Sequence, residues 1–116
     1  MKLYALCCGV LLLATVSVRA GEKLNIRVSP SMGYHPATVV VHVYATRNAE
    51  NRGMEVIADS ANFYRSSAVQ LEGEAAPFAT DFTFRDVPEG EYAVIARLIG
   101  RDGKPRASVT RHVNIY

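Results

Sequence analysis

Cysteine is scarce in this chain of 116 residues, and its two cysteines, Cys7 and Cys8, both lie near the start. Tryptophan is absent, and so is any Asn-x-Ser/Thr acceptor site for N-linked glycosylation. Beyond residue 20 the sequence therefore excludes a disulfide, a thiol nucleophile and a thiolate metal site. A domain formed by those residues must be held together by its core alone.

An excess of one charge is also missing from the later part of the chain. The whole sequence has 13 Lys and Arg against 11 Asp and Glu, but Lys2 and Arg19 belong to the first 20 residues. Without those two residues the balance is 11 to 11, so the pI of about 8.7 describes only the full-length chain. Electrostatics therefore gives no reason to expect a nucleic-acid or anionic-membrane partner.

Motifs of catalysis and cofactor binding are absent as well. The sequence has no phosphate-binding loop, no dinucleotide-binding fingerprint and no Gly-x-Ser-x-Gly element. Combinations of Ser60, Ser66 or Ser67 with His42 lack any recognisable nucleophile context. We therefore expect a protein that is not an enzyme, with no catalytic residue and no cofactor.

The first 20 residues predict export. Lys2 gives a positive start, residues 3–18 form an uncharged and largely apolar run, and residues 18–20 suit a signal peptidase. The run of 16 residues is shorter than the roughly 20 that span a bilayer. We predict a signal-peptide helix over residues 1–20, which is cleaved, and a single domain over residues 21–116.

This leader places the domain in the periplasm or outside the cell, without a membrane span after cleavage. An uncleaved N-terminal anchor remains the alternative, because Arg19 adjoins the cut site. Cys7 and Cys8 lie too early in the apolar run to carry a lipid. An exported domain without cysteine favours a bacterial envelope over a eukaryotic secreted protein.

Period-two alternation predicts seven strands and little helix in residues 21–116. The predicted strands span residues 24–28, 38–46, 54–59, 63–71, 78–85, 92–98 and 107–115. The strand at 38–46 is the richest in β-branched residues, and the strand at 63–71 is weaker and expected at an edge. We predict an all-β fold, a seven-stranded antiparallel β-sandwich.

The alternation also assigns inner faces. The inner face of the second strand is formed by Val39, Val41, Val43 and Ala45. Phe78, Thr80, Phe82 and Phe84 share a face that we expect to pack against the other sheet. In the last strand, Arg111 interrupts an otherwise apolar face.

The segment 82–92 has the pattern Phe-x-Phe-x-x-Val-Pro-x-Gly-x-Tyr, which resembles two groups of extracellular sandwich domains. One is the immunoglobulin-like and fibronectin type III group, and the other is the transthyretin-like, carboxypeptidase-regulatory-like group. The resemblance implies an Ig-like sandwich in which the Tyr92 hydroxyl caps a corner. The residues that carry it are Phe82, Phe84, Pro88, Gly90 and Tyr92. The tryptophan and cysteine pair of antibody domains are missing, so the choice between the two strand topologies stays open.

Three groups of residues are candidates for an interaction surface. The outer face of the second strand carries Val40, His42 and Tyr44, and we expect Ile57 on the facing strand to extend this half-apolar surface. Tyr34 and His35 lie in a loop, and Tyr64 and Arg65 lie on a loop or edge. Aromatic and arginine side chains are favoured at recognition surfaces, although Tyr34 and Tyr64 could equally cover the ends of the core.

Two further resemblances lack their defining residues. The run Tyr-Arg-Ser-Ser at 64–67 is similar to the Tyr-Arg-Gly-Ser ending of transthyretin-like hydroxyisourate hydrolases, but it lies mid-chain. Residues 90–105 are similar to the end of copper-binding proteins of the copper-resistance C type, with Lys104 and Gly21 where histidines are implied. Possible ligands are scattered (Met32, Met54, His35, His42, His112) or gathered around one turn (Asp81, Asp86, Glu89, Glu91). We predict no metal site.

The sequence therefore favours a non-catalytic, exported Ig-like module for binding or assembly. Its expected partner is another envelope or extracellular protein, including a second copy of itself. The alternative is a carbohydrate-binding accessory domain that uses Tyr34, Tyr64 and Arg65. A metal-binding sandwich or a small hydrolase is a more remote alternative.

Overall fold

The computed structural model describes residues 23–116, so the expected signal-peptide helix and its cleavage site lie outside the described residues. The strands are β1 (Leu24–Ser29), β2 (Met32–Gly33), β3 (Ala37–Ala45), β4 (Asn51–Asp59), β5 (Tyr64–Gln70), β6 (Ala79–Val87), β7 (Gly90–Gly100) and β8 (Pro105–Ile115). A 3₁₀ turn, Gly73–Ala75, lies between β5 and β6. Residues 23–116 contain no helix of the length and hydropathy that crossing a bilayer requires.

The strands form two sheets that differ in width. One sheet has three strands in the order β1-β3-β6, and the other has five in the order β2-β8-β7-β4-β5. Neighbouring strands are antiparallel except β2 and β8, which run parallel. The predicted all-β sandwich is confirmed.

The predicted count of seven strands is wrong, because residues 23–116 form eight. The additional strand is β2, which lies between the first two predicted strands, 24–28 and 38–46. Two residues are too few to display an alternation, and β2 forms only because the edge of β8 pairs with Met32 and Gly33. Strand β4 also begins at Asn51, three residues before the predicted start at residue 54.

The core lies between the two sheets and is built by the predicted alternation. All four residues predicted on the inner face of β3 are buried, and Phe82 and Phe84 of β6 belong to the same core. The remaining core residues include Val56 and Ala58 of β4 and the inner residues of β7. Burial of such side chains contributes about 1.5–3 kcal/mol for each large one, and this is the main stabilisation of the fold.

Phe78 does not belong to this core, although the alternation assigned it to the inner face with Phe82 and Phe84. It is 52% exposed. Strand β6 begins only at Ala79, so the alternating direction of side chains does not extend back to Phe78. The ring packs instead against Tyr44, with 6.0 Å between the ring centroids.

Arginine side chains cross between the sheets on both open sides of the sandwich. On one side, Arg111 of β8 donates from Nη2 to Oδ1 of Asn25 in β1 over 3.1 Å. On the other side, Arg65 of β5 donates from Nη1 to the carbonyl oxygen of Arg85 in β6 over 2.8 Å. Arg111, which interrupts the inner face of β8, therefore lies at the rim, where its guanidinium group reaches water.

The buried Asn51 ties β4 to two other segments. It is 2% exposed, and its Nδ2 donates to the carbonyl oxygen of Thr46 over 2.9 Å. Its Oδ1 accepts a hydrogen bond from Nη1 of Arg106, which is the extra residue of a bulge between β7 and β8. Both polar ends of this buried amide are thus paired, which removes the cost of burying them.

Tyr92 closes the corner between β6 and β7. Its ring is 3% exposed and packs edge-on against Phe63, and its hydroxyl donates to the carbonyl oxygen of Pro88 over 2.7 Å. This is the corner bond that the resemblance to Ig-like domains implies. Gly90 makes the turn possible, since its φ of 154° lies in a region that side chains disfavour.

The substitution Tyr92→Phe tests this corner. It removes only the hydroxyl and leaves the Pro88 carbonyl without its donor, so we expect a loss of about 1 kcal/mol in the free energy of unfolding. Urea denaturation of the variant and of Tyr64→Phe, which alters an exposed ring, measures the difference. Equal stability of Tyr92→Phe and the wild type would show that the bond contributes nothing.

Candidate functional site

Strand β5 is the most exposed strand of the sandwich. All seven of its residues are exposed, and Tyr64 is 63% exposed. The sequence predicts an edge strand here, and the structure places β5 at the end of the five-stranded sheet. Because the opposite sheet has only three strands, the core extends to β4 but takes no residue from β5.

The register of β5 against β4 defines which backbone groups have no strand partner among residues 23–116. The amide of Leu71 donates to the carbonyl oxygen of Arg52, just beyond the β4–β5 ladder. In an antiparallel pair the direction of the backbone groups alternates, so Arg65, Ser67 and Val69 bond to β4. The N–H and C=O groups of the intervening residues point away from the sheet. These residues are Tyr64, Ser66, Ala68 and Gln70.

The free edge of β5 lacks the features that usually block an edge strand. Residues 64–70 contain no proline, lysine or acidic residue, and the pairing of β4 with β5 shows no register shift. The edge strand β2 has only two residues. The edge strand β6 has a bulge where Asp86 adopts a φ of 57°, and it carries Asp81 and Arg85.

Arg65 holds the start of β5 against the rest of the sandwich. Besides its bond to Arg85, its guanidinium carbon lies 4.9 Å from the centroid of the Phe63 ring. Such a cation–π contact at a partly exposed site contributes about 0.5–1 kcal/mol. The one charge of β5 is therefore directed toward β6, and it does not lie along the free backbone edge.

Val40, His42 and Tyr44 lie together on the outer face of the three-stranded sheet, as expected. Nδ1 of His42 lies 2.8 Å from Oδ1 of Asp81 on the neighbouring strand β6. The expectation that Ile57 extends this surface is wrong. Ile57 lies on β4, which pairs with β7 and so belongs to the five-stranded sheet. The residues of β3 belong to the three-stranded sheet.

Tyr34 and His35 form a different cluster. Tyr34 is 81% exposed, and its ring centroid lies 6.3 Å from that of Tyr116. The backbone amide of His35 donates to the oxygen of Tyr116 over 2.7 Å, and Nδ1 of His35 lies 2.8 Å from the same oxygen. Tyr116 could not be predicted as a partner of His35, because no local sequence pattern links residues 81 positions apart.

The structure does not bring Tyr34, Tyr64 and Arg65 into one site. Tyr34 directly follows β2 at one edge of the five-stranded sheet, and Tyr64 and Arg65 lie on β5 at the other edge. Four strand spacings separate those edges, which is about 19 Å. The predicted interaction residues thus divide into three separate surfaces.

The possible metal ligands are also dispersed. Within residues 23–116 no group of three or more His, Cys, Asp or Glu side chains lies close enough together to share a metal ion. Met54 is buried in the core, whereas Met32 is exposed.

Comparison with known proteins identifies the fold. No family model matches the chain, and no curated protein matches it. A solved superoxide reductase (neelaredoxin) from Ignicoccus hospitalis is similar with a TM-score of 0.60 and 13% identity, over 81% of this chain and 80% of that chain. A variant of the same protein gives a TM-score of 0.63 and 14% identity, over 87% and 86%.

A family 76 glycoside hydrolase from a bovine Bacteroides thetaiotaomicron strain is also similar. The TM-score is 0.55 and the identity is 17%, over 78% of this chain but only 19% of the hydrolase chain. At identities this low, both likenesses show a shared β-sandwich fold alone.

Proline substitutions test the assignment of the free backbone groups. Ser66→Pro removes an amide that points away from the sheet, so we expect it to cost less than about 1 kcal/mol in the free energy of unfolding. Ser67→Pro removes an amide that bonds to β4, and we expect it to cost about 1–3 kcal/mol more. Urea denaturation compares the two. Equal costs, or a larger cost at Ser66, would contradict the assigned register.

Proposed function

We propose that this protein is an exported, non-catalytic Ig-like β-sandwich that binds another protein by adding a partner strand to β5. The observation that carries the proposal is the free backbone edge of β5, with its four outward-facing residues and no blocking charge or bulge. Export is the part of the proposal that rests on residues 1–20 alone.

Strand addition fits the chemistry of this edge. A partner strand hydrogen-bonds to the backbone of an exposed edge, which gives affinity, while alternate side chains give specificity. Tyr64, Ser66, Ala68 and Gln70 direct their backbone groups outward, and their side chains lie on the outer face of the five-stranded sheet. The neighbouring Ile57 lies opposite Ser66 on that same face, but it is 5% exposed and offers a partner almost no apolar surface.

Capture from an envelope extract of the producing cell tests the proposal. The full chain, expressed with its leader, serves as bait in three forms: wild type, Ser66→Pro and Ser66→Thr. We expect the wild type and Ser66→Thr to retain the same partner and Ser66→Pro to lose it, because only the proline removes an outward amide. Capture that the proline leaves unchanged would place the interaction on another surface. A monomer that captures nothing would remove the proposal.

Carbohydrate binding is the second candidate function. The observation that favours it lies on the outer face of the three-stranded sheet, away from Tyr34, Tyr64 and Arg65. Phe78 and Tyr44 present two neighbouring rings, tilted by 40°, on the outer face of the three-stranded sheet. Asp81, whose side chain is 60% exposed, lies on the same face and is held by His42. A ring face beside a carboxylate is suited to stack on a sugar and to accept hydrogen bonds from its hydroxyl groups.

A glycan-array measurement separates this candidate from strand addition. If the surface binds sugar, Phe78→Ala should lower the signal at least about tenfold, since stacking area is lost, while Phe78→Tyr keeps it. Ser66→Pro should have no effect on glycan binding. An array with no signal for the wild type would exclude carbohydrate as the ligand.

A further inference from the structure

The composition of β5 and its register against β4 together identify the strand that fits its free edge. We infer that this strand is β5 of a second copy of the chain, so that two five-stranded sheets join into one continuous sheet around a two-fold axis. The inference rests on the proposed function, because it names the occupant of the same edge.

The alternation of free backbone groups allows one register to use the whole edge. The outward groups belong to the even-numbered residues 64, 66, 68 and 70, so hydrogen-bonded pairs must join even residues of both copies. With the two-fold axis beside Ser67, Tyr64 lies opposite Gln70 of the second copy, and Ser66 lies opposite Ala68. Each of the four resulting pairs exchanges two bonds, which gives about eight hydrogen bonds.

A shift of the two-fold axis by one residue leaves part of the edge without hydrogen bonds. With the axis at Ser66 or at Ala68, one of the outward residues lies beyond the end of the partner strand. Only three pairs then form, with about six hydrogen bonds. The register centred on Ser67 is therefore the favoured one.

The side chains of β5 are compatible with the same register. Arg65 is the only charged residue of the strand, and it lies opposite Val69 of the second copy. Ser67 lies opposite Ser67 of the second copy. Like charges placed directly opposite each other destabilise a strand pair, and this register contains none.

The charge pattern of β5 also favours a second copy of the chain over a different protein as the partner. A foreign strand is often selected by complementary charges along the edge, but the only charge of β5 is directed toward β6 by its bond to Arg85. An isologous pair needs no such charges, because the same surface serves both partners. The edge is therefore suited to self-recognition.

Cysteine cross-linking tests the dimer and its register together. The full chain is expressed with its leader and with Cys7→Ser and Cys8→Ser, so that an introduced cysteine is the only thiol. At Ser67 the two copies form a non-hydrogen-bonded pair with Cα atoms about 4.5 Å apart, which suits a disulfide. At Ser66 or Ala68 the identical residues lie diagonally, about 7–8 Å apart, which is too far for unstrained bridging.

We expect Ser67→Cys to form a covalent dimer under mild oxidation at least about tenfold faster than Ser66→Cys or Ala68→Cys. Light scattering should give the mass of a dimer for the wild type and for Ser66→Thr, and of a monomer for Ser66→Pro. A fast cross-link at Ser66 or Ala68, or equal rates at all three positions, would overturn the inferred register.

A wild-type monomer at all accessible concentrations would overturn the inference itself. The proposed function fails separately, by the capture experiment: a monomer that retains an envelope protein only while Ser66 keeps its amide still binds by strand addition. A dimer that Ser66→Pro leaves intact would place self-association on another surface and would also overturn the inference.

Discussion

A sheet of three strands cannot cover a sheet of five, and the other features of this molecule follow from that constraint. The apolar side chains of β3 and β6 are buried against β4, β7 and β8, where the sheets face each other. Strand β5 lies beyond the covered area, so it gains hydrogen bonds from β4 but contributes no residue to the buried core. The same mismatch leaves it with a free backbone edge, since a strand that adds nothing to the core is also the last strand of its sheet.

Without a cysteine in the described residues, the rims of the sandwich depend on polar contacts made by long side chains. Arg65 and Arg111 bridge the two open sides, and Arg106 reaches the buried Asn51 near one end. The bonds of Arg65 and Arg111 are individually modest, because exposed hydrogen bonds are weakened by water. Their effect is to fix the position of strands that the core does not hold, and Arg65 does so for β5.

Alternation in the sequence was sufficient to identify the inner face of β3 and the buried pair Phe82 and Phe84, because burial on one side of a strand dictates that pattern directly. It was insufficient at Phe78, which precedes the first residue of β6, because no residue type in the sequence marks where the alternation of a strand begins. The membership of Ile57 in the other sheet and the contact of Tyr34 with Tyr116 depend on pairing between distant segments. Such pairing is set by the whole fold and leaves no local signal. The edge position of β5 was predictable because its pattern is polar and weak, but the direction of its free amides required the register.

The four edges of this molecule differ, and the difference bears on function. Edge strands invite uncontrolled pairing, and proteins usually block them with charges, bulges or short length. Here β2 is short, β6 is bulged and charged, and β1 is bridged by Arg111, so three edges have a feature that limits pairing. Strand β5 has none, although a single lysine or proline among its seven residues would have been enough. An edge left open in a chain that blocks its others is best explained by a strand that regularly occupies it, because an unoccupied edge of this kind would expose the protein to aggregation.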